Sequence, residues 1–193
     1  MKNYSEIAGF CNFEQLYADQ VARSQPNDVF VEVGSLWGRS IILLAQLSKH
    51  YKKPLEIHSI DFWDYQGVPE LMTPGLDPSG LDYIKDGPDC LYNAFLQNLK
   101  DCGVENDINH HRMSSEQGST LFQDNSVDFI FIDAMHTYEA VSDDLNKWFP
   151  KLKSGKMIAG HDYDWEGVKK AVDEFFGIDN IYIHNTSWIY YKP

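Results

Sequence analysis

The chain alternates between short apolar runs and stretches whose apolar residues fall three and four positions apart. VDFIFI, residues 127–132, is a nearly continuous run of β-branched and aromatic residues, the pattern of a strand buried on both faces. It ends at Asp133. Val141, Leu145, Trp148, Phe149 and Leu152 then recur at helical spacing and predict a helix over 138–152. Thr137 suits its N-cap, and Glu139 falls in the first turn, where the helix dipole favours an acid. Ser154-Gly155 reads as the helix stop, and KMIAG, 156–160, as a second strand ending in His161-Asp162. Two strands joined by a helix form a βαβ unit, and open α/β sheets bind ligands at the carboxyl edge of such strands.

The same alternation runs through the rest. VFVEV (29–33) is a strand that enters Gly34-Ser35-Leu36-Trp37-Gly38-Arg39-Ser40 and a helix over 41–51. A strand over 55–60 ends in Asp61, a helix over 88–102 is closed by Gly103, and a strand over 108–113 precedes Ser114-Ser115. A helix over 166–176 ends at Gly177, and two strands, 181–184 and 188–191, close the chain. Only three residues separate these last two, too few for a parallel crossover, so the last strand is expected to be antiparallel. Residues 1–25 are expected to be helical, with Phe10, Phe13, Leu16, Tyr17 and Val21 on the apolar side. The pattern predicts one α/β domain over 1–193: a Rossmann-like, doubly wound seven-stranded sheet, mostly parallel, with helices on both faces. Residues 62–87 carry three prolines and four glycines with no sustained period, and are expected to form a flap over the site. Within that stretch Trp63, Tyr65 and Tyr83 either line a substrate pocket or anchor the loop.

Charge narrows the function. The formal net charge of −13 disfavours nucleic acid or an anionic membrane as a partner. No apolar run reaches the ~20 residues of a membrane helix, and the opening MKNYSEIAGFCNFEQ lacks a signal peptide's apolar core. Cys11, Cys90 and Cys102 show neither close pairing nor metal spacing, which suits reduced thiols in a cytoplasmic protein. The aromatic tail IYIHNTSWIYY either packs the sheet edge or forms a homodimer contact. His110-His111 reads as a partly exposed strand pair rather than a metal site, and Lys169-Lys170 as the solvated face of a helix.

Glu32-x-Gly34-x-x-x-Gly38 lies on a strand–turn–helix, where glycine admits close backbone approach and the helix start offers free N–H groups. Alone this is either a ligand turn or a packing turn. Asp61 ends the next strand, where an acid takes ribose hydroxyls, so the two together point to an adenosine-type cofactor. The G-x-G-x-x-G spacing preferred by dinucleotide folds is absent.

VFVEVGSLWGRSIILLA, HSIDFW, FIDAMHTYEAVSDDLNKWFPKLKSGKMIAGHDY and GVKKAVDEFF resemble the class I S-adenosylmethionine-dependent methyltransferases. Within these the resemblance is to the bacterial group of macrocin-type and other sugar or natural-product O-methyltransferases, and it covers residues 27–178. It implies that Glu32, Gly34, Ser35, Gly38 and Ser40 surround the methionine end of S-adenosylmethionine. Asp61 would take the ribose, and Phe62, Ser114 and Ser115 would lie by the adenine, with Asp133 at the reacting end. It also implies a divalent metal, magnesium or manganese, on Asp133, His161 and Asp162. Relatives often carry an acid two residues after the first ligand as base; here Met135 stands there, which leaves His161 and His136 as candidates. His136 is either that base or a capping or supporting residue.

The expectation is O-methylation of a small hydroxylated acceptor. Two alternatives stay open: a NAD-type oxidoreductase, and a non-catalytic member of the same fold that binds a ligand or partner.

Overall fold

The computed structural model describes residues 1–63 and 89–193. Most of the expected flap over 62–87, including Tyr65 and Tyr83, lies outside them. Seven strands form one sheet: β1 (Val29–Val33), β2 (Glu56–Asp61), β3 (Ile108–Arg112), β4 (Val127–Ile132), β5 (Leu152–Gly160), β6 (Tyr182–His184) and β7 (Ser187–Tyr191). Their order is β3-β2-β1-β4-β5-β7-β6. The first five are parallel, and β7 is antiparallel to both of its neighbours.

Alternate strand residues feed two cores, as the period of two requires. Phe30, Phe129, Phe131 and Ala159 face α1 (Glu14–Arg23), α2 (Arg39–His50) and α3 (Cys90–Asp101). Val31, Val33, Ile130, Ile132 and Ile158 face α5 (Tyr138–Trp148) and α6 (Glu166–Phe176). All six residues of β4 are buried, and each large apolar side chain among them contributes about 1.5–3 kcal/mol. This central strand is what holds Asp133 rigidly at the sheet edge. A short α4 (Ser115–Ser119) follows β3.

Four elements differ from the sequence reading. The N-terminal region is helical only from Glu14; Tyr4–Glu6 is a 3-10 turn, and Phe10 is exposed. Helix α5 stops at Trp148, because Pro150 lacks the N–H to continue it, and a 3-10 turn Phe149–Lys151 follows. Strand β5 therefore starts at Leu152, and Ser154-Gly155 lies inside it. Pairing steps from Val127↔Leu152 to Phe129↔Met157, so the turn-like dipeptide is a bulge, with Gly155 at φ +75°. Helix α4 was not foreseen, although Ser114 and Gln117 form a capping box at its start. The three cysteines are buried free thiols. No helix among the described residues is long and apolar enough to cross a membrane.

Candidate functional site

A cavity of about 950 Å³ opens over the carboxyl ends of β1, β2, β4 and β5. The turn after β1 forms its floor. Gly34 has φ +89°, and a Cβ there would come within 2.1 Å of the Asp133 carbonyl oxygen, so only glycine lets the turn cross the end of β4. Asp61 fastens the turn from the side: one carboxylate oxygen accepts from the Ser35 and Leu36 N–H groups, each at 2.8 Å, and the other from the Trp63 N–H at 2.7 Å. Burial pushes the Asp61 pKa up, opposed by these backbone donors.

Glu32 lies beneath the turn and does not line the cavity. It is 1% exposed and accepts from Tyr17 Oη at 2.6 Å, Ser35 Oγ at 2.7 Å and Ser40 Oγ at 2.9 Å. Burial pushes its pKa up to about 7, against the pull of those three hydroxyls. Gly38, the N-cap of α2, has φ +88° and is packed against Phe95. These two residues build the turn, whereas Gly34, Ser35, Ser40, Asp61, Phe62, Ser114 and Ser115 line the cavity. Ser115 Oγ is already engaged: it donates to Asp144 and accepts from Trp148 Nε1 at 2.8 Å. Burial raises Asp144 to about 6.

At the other end Asp133, His136, His161 and Asp162 converge. His136 Nε2 lies 2.9 Å from Asp162 Oδ2 and 3.9 Å from Asp133 Oδ1. His161 Nδ1 lies 3.1 Å from Asp162 Oδ1 and 3.7 Å from Asp133 Oδ1. Asp162 has φ +55°, a left-handed conformation that Asp tolerates and that turns its carboxylate toward the histidines. Ligand atoms of Asp133, His136 and Asp162 lie within 4.8 Å of one another. This group holds His136 where His161 was expected, although His161 also reaches the acids through Nδ1; its Nε2 is held by Asn12 Oδ1 and Thr186 Oγ1, both at 2.9 Å.

Burial disfavours charge on His136, but Asp133 and Asp162 more than offset it and hold its pKa up to about 10. His161 is raised in the same way, burial again being outweighed, by Asp162 first and then Asp133. Asp162 is held well below the usual carboxylate range by the two imidazoles, despite burial. His136 is therefore a charge partner of the acids at neutral pH, and His161 is biased in the same direction.

Several lining residues escaped the sequence reading. Arg39 donates through Nη1 to the carbonyls of Gly9 at 2.7 Å and Ile7 at 3.3 Å. Its Nε is buried with no partner among the described residues. Its place directly after the glycine turn was the available signal. Asn12 and Thr186 join the site from opposite ends of the chain, and no local pattern marks them. Trp165 also lines the cavity, next to His136. His110 and His111, by contrast, belong to the β2–β3 edge: His110 Nδ1 pairs with Tyr92 Oη and His111 Nε2 with His58 Nδ1, each at 3.0 Å.

A family model described as "Methyltransferase domain" matches residues 31–163. No curated protein matches the chain. Among solved structures it is similar to the O-methyltransferase NovP, with 19% identity and a TM-score of 0.61 over 94% of this chain and 78% of that one. It is also similar to CalS11, a TDP-rhamnose 3'-O-methyltransferase of calicheamicin biosynthesis, at 17% identity and a TM-score of 0.58 over 92% and 76% of the two chains. A third is TomG from Streptomyces achromogenes, an O-methyltransferase of tomaymycin synthesis solved with SAM, at 11% identity and a TM-score of 0.62 over 97% and 83%. At these identities the likeness is one of fold.

Proposed function

This chain belongs to the methyltransferase-domain family, and from that premise we propose that it methylates a hydroxyl of a small acceptor, using S-adenosylmethionine and a divalent cation. The observation that carries the reading is the pairing, in one cavity, of the Gly34–Asp61 turn with the Asp133–His136–Asp162 cluster. The seven-stranded order with an antiparallel β7 also departs from the 3-2-1-4-5-6 order of dinucleotide folds.

The residues present suit S-adenosylmethionine. The buried Nε of Arg39, unpartnered among the described residues, is a cationic donor for the amino-acid carboxylate. Ser35 and Ser40 offer hydroxyls nearby, and Asp61 keeps acceptor lone pairs beyond its three backbone bonds for ribose hydroxyls. Phe62, exposed on the cavity, offers a face to the adenine. Bound there, the cofactor supplies an electrophilic methyl on a sulfonium. The acids lining the cavity favour that positive charge, and the rigid turn orients it; orientation is most of what displacement at a sulfonium needs.

Asp133, His136 and Asp162 suit a divalent cation in type: two hard carboxylates and one imidazole, which would release its proton on binding the ion, a set that fits magnesium and, through the nitrogen, manganese. Such an ion lowers the pKa of a hydroxyl it holds. His161, fixed by Asn12 and Thr186, keeps Asp162 in place through Nδ1.

The test is twofold. Calorimetry should show S-adenosylhomocysteine binding to the parent, with Asp61→Ala weaker by about tenfold or more, the scale of hydrogen bonds to a charged group. Labelled S-adenosylmethionine with a panel of hydroxylated acceptors should give an O-methyl product whose formation chelator suppresses. Failure to bind S-adenosylhomocysteine, or tight binding of NAD instead, would sink the cofactor assignment. A chelator-resistant rate would sink the metal alone.

A further inference from the structure

We propose that Trp165 is the platform for a neutral, hydroxylated ring acceptor, and that the described residues of the cavity select against acceptors carrying phosphate. This rests on the methyltransferase reading and names the acceptor class within it. Trp165 is 43% exposed although it lines the cavity, and its ring lies 4.7 Å from that of His136, tilted by 39°. Two backbone features fix it there. Its N–H donates to the Asp162 carbonyl at 2.9 Å. Two residues on, a Cβ at Gly167 would come within 2.5 Å of the His136 carbonyl oxygen and 2.8 Å of the Tyr138 nitrogen. The start of α6 is thus pressed against the loop that carries His136, and the indole stands beside the Asp133–Asp162 acids. A second exposed aromatic, Phe10, lines the same cavity; Arg39 holds the carbonyl of the preceding Gly9, and Asn12 two residues on is held by Thr186.

The ligand chemistry follows from faces and charge. A ring with an apolar face covers an exposed indole well, and hydroxyls on its edge would meet carboxylates and imidazole. Phosphate finds a poorer match, because the imidazoles of His136 and His161 that also line the cavity are already paired with Asp162. Asp61, Glu116, Asp133, Asp143, Asp144 and Asp162 line the cavity, and Arg39 is the only lysine or arginine among the described residues that does. Its Nη1 is spent on the Ile7 and Gly9 carbonyls, and its Nε is assigned above to the cofactor. Sugars and phenols share the required chemistry and are separated by experiment.

Saturation-transfer NMR in the presence of S-adenosylhomocysteine should detect methyl α-rhamnoside or catechol bound to the parent. Trp165→Ala should weaken the bound ring by about tenfold, the scale of one aromatic contact, with Trp165→Phe in between. TDP-rhamnose should bind no better than the methyl glycoside. S-Adenosylhomocysteine affinity, measured on each variant, reports that the fold is intact. The proposal is overturned if Trp165→Ala holds the rings as the parent does, if TDP-rhamnose binds more than tenfold tighter than methyl rhamnoside, or if S-adenosylhomocysteine binds and neither ring does. A parent that fails to bind S-adenosylhomocysteine removes the methyltransferase reading itself, a different result read by a different measurement.

Discussion

Glu32 shows how far a residue's type and its role can part. An acid at the end of the first strand reads from sequence as a cofactor contact, yet the structure places it under the turn, receiving three hydroxyls. One of those partners, Tyr17, is fifteen residues away on α1, a distance no local pattern encodes. The raised pKa has a stability consequence whose sign is definite. The folded state holds a proton on Glu32 up to about 7, while an unfolded chain releases it near the ordinary 4.5. The folded state binds more protons between these values, so this contribution is fully present below about 4.5 and is lost as pH rises to about 7. Glu32→Gln mimics the protonated form. Denaturant melts from pH 4.5 to 7.5 should show the parent losing stability relative to the variant as pH rises; a constant difference between the two would refute the assignment. Asp133, Asp162 and the Gly34 turn were legible, because strand ends in an alternating α/β pattern mark the sheet's binding edge. Arg39, Asn12, Trp165 and Thr186 were not, because each enters the cavity through tertiary packing.

At the level of elements, the two glycines Gly34 and Gly155 look alike in sequence, and both adopt positive φ, at +89° and +75°. Their surroundings differ. A Cβ at Gly155 meets nothing within 4 Å, whereas one at Gly34 meets the backbone of Asp133 at 2.1 Å. Gly155→Ala should therefore cost only the backbone term of a left-handed residue, about 1–2 kcal/mol. Gly34→Ala should cost well beyond that, because the end of β4 must move, and it should abolish S-adenosylhomocysteine binding with it. Thermal melts and calorimetry on the two variants give the comparison, and equal losses would show that the close approach of the turn to β4 is not what Gly34 serves. The same contrast explains the misread element boundary. Gly after Ser is a turn signal wherever it falls, and only the pairing of β5 with β4 reveals a bulge instead of a helix stop. The order and type of the strands were readable because their apolar runs are short and bounded. The start of α1 was not, because the apolar residues before Glu14 pack in irregular structure.

On the scale of the whole molecule, the sheet brings together residues from four strand ends and both chain ends, so the site reports on the entire fold. Asp133 and Asp162 follow neighbouring strands, and both histidines make their short contacts to Asp162 and longer ones to Asp133, in a chain of net charge −13. Any divalent cation will screen such a chain weakly, which makes specificity the point to be measured. A cation that binds the folded cluster and not the unfolded chain stabilises by mass action, by about 2.7 kcal/mol at a hundred times its dissociation constant. For a domain of this length each kcal/mol moves the melting temperature by about 2–4 °C, so manganese or magnesium should raise it by roughly 5–10 °C, the product of those two scales. The control is a monovalent salt at matched ionic strength, which removes screening as an explanation. Asp133→Asn and Asp162→Asn should each erase most of the rise, while Lys147→Ala, an exposed helix position paired with Glu116, should keep it. A rise equal in parent and both Asn variants would show that the cation acts on the surface at large, and the Asp133–His136–Asp162 cluster would then stand as a self-neutralised ion-pair group with no metal to hold.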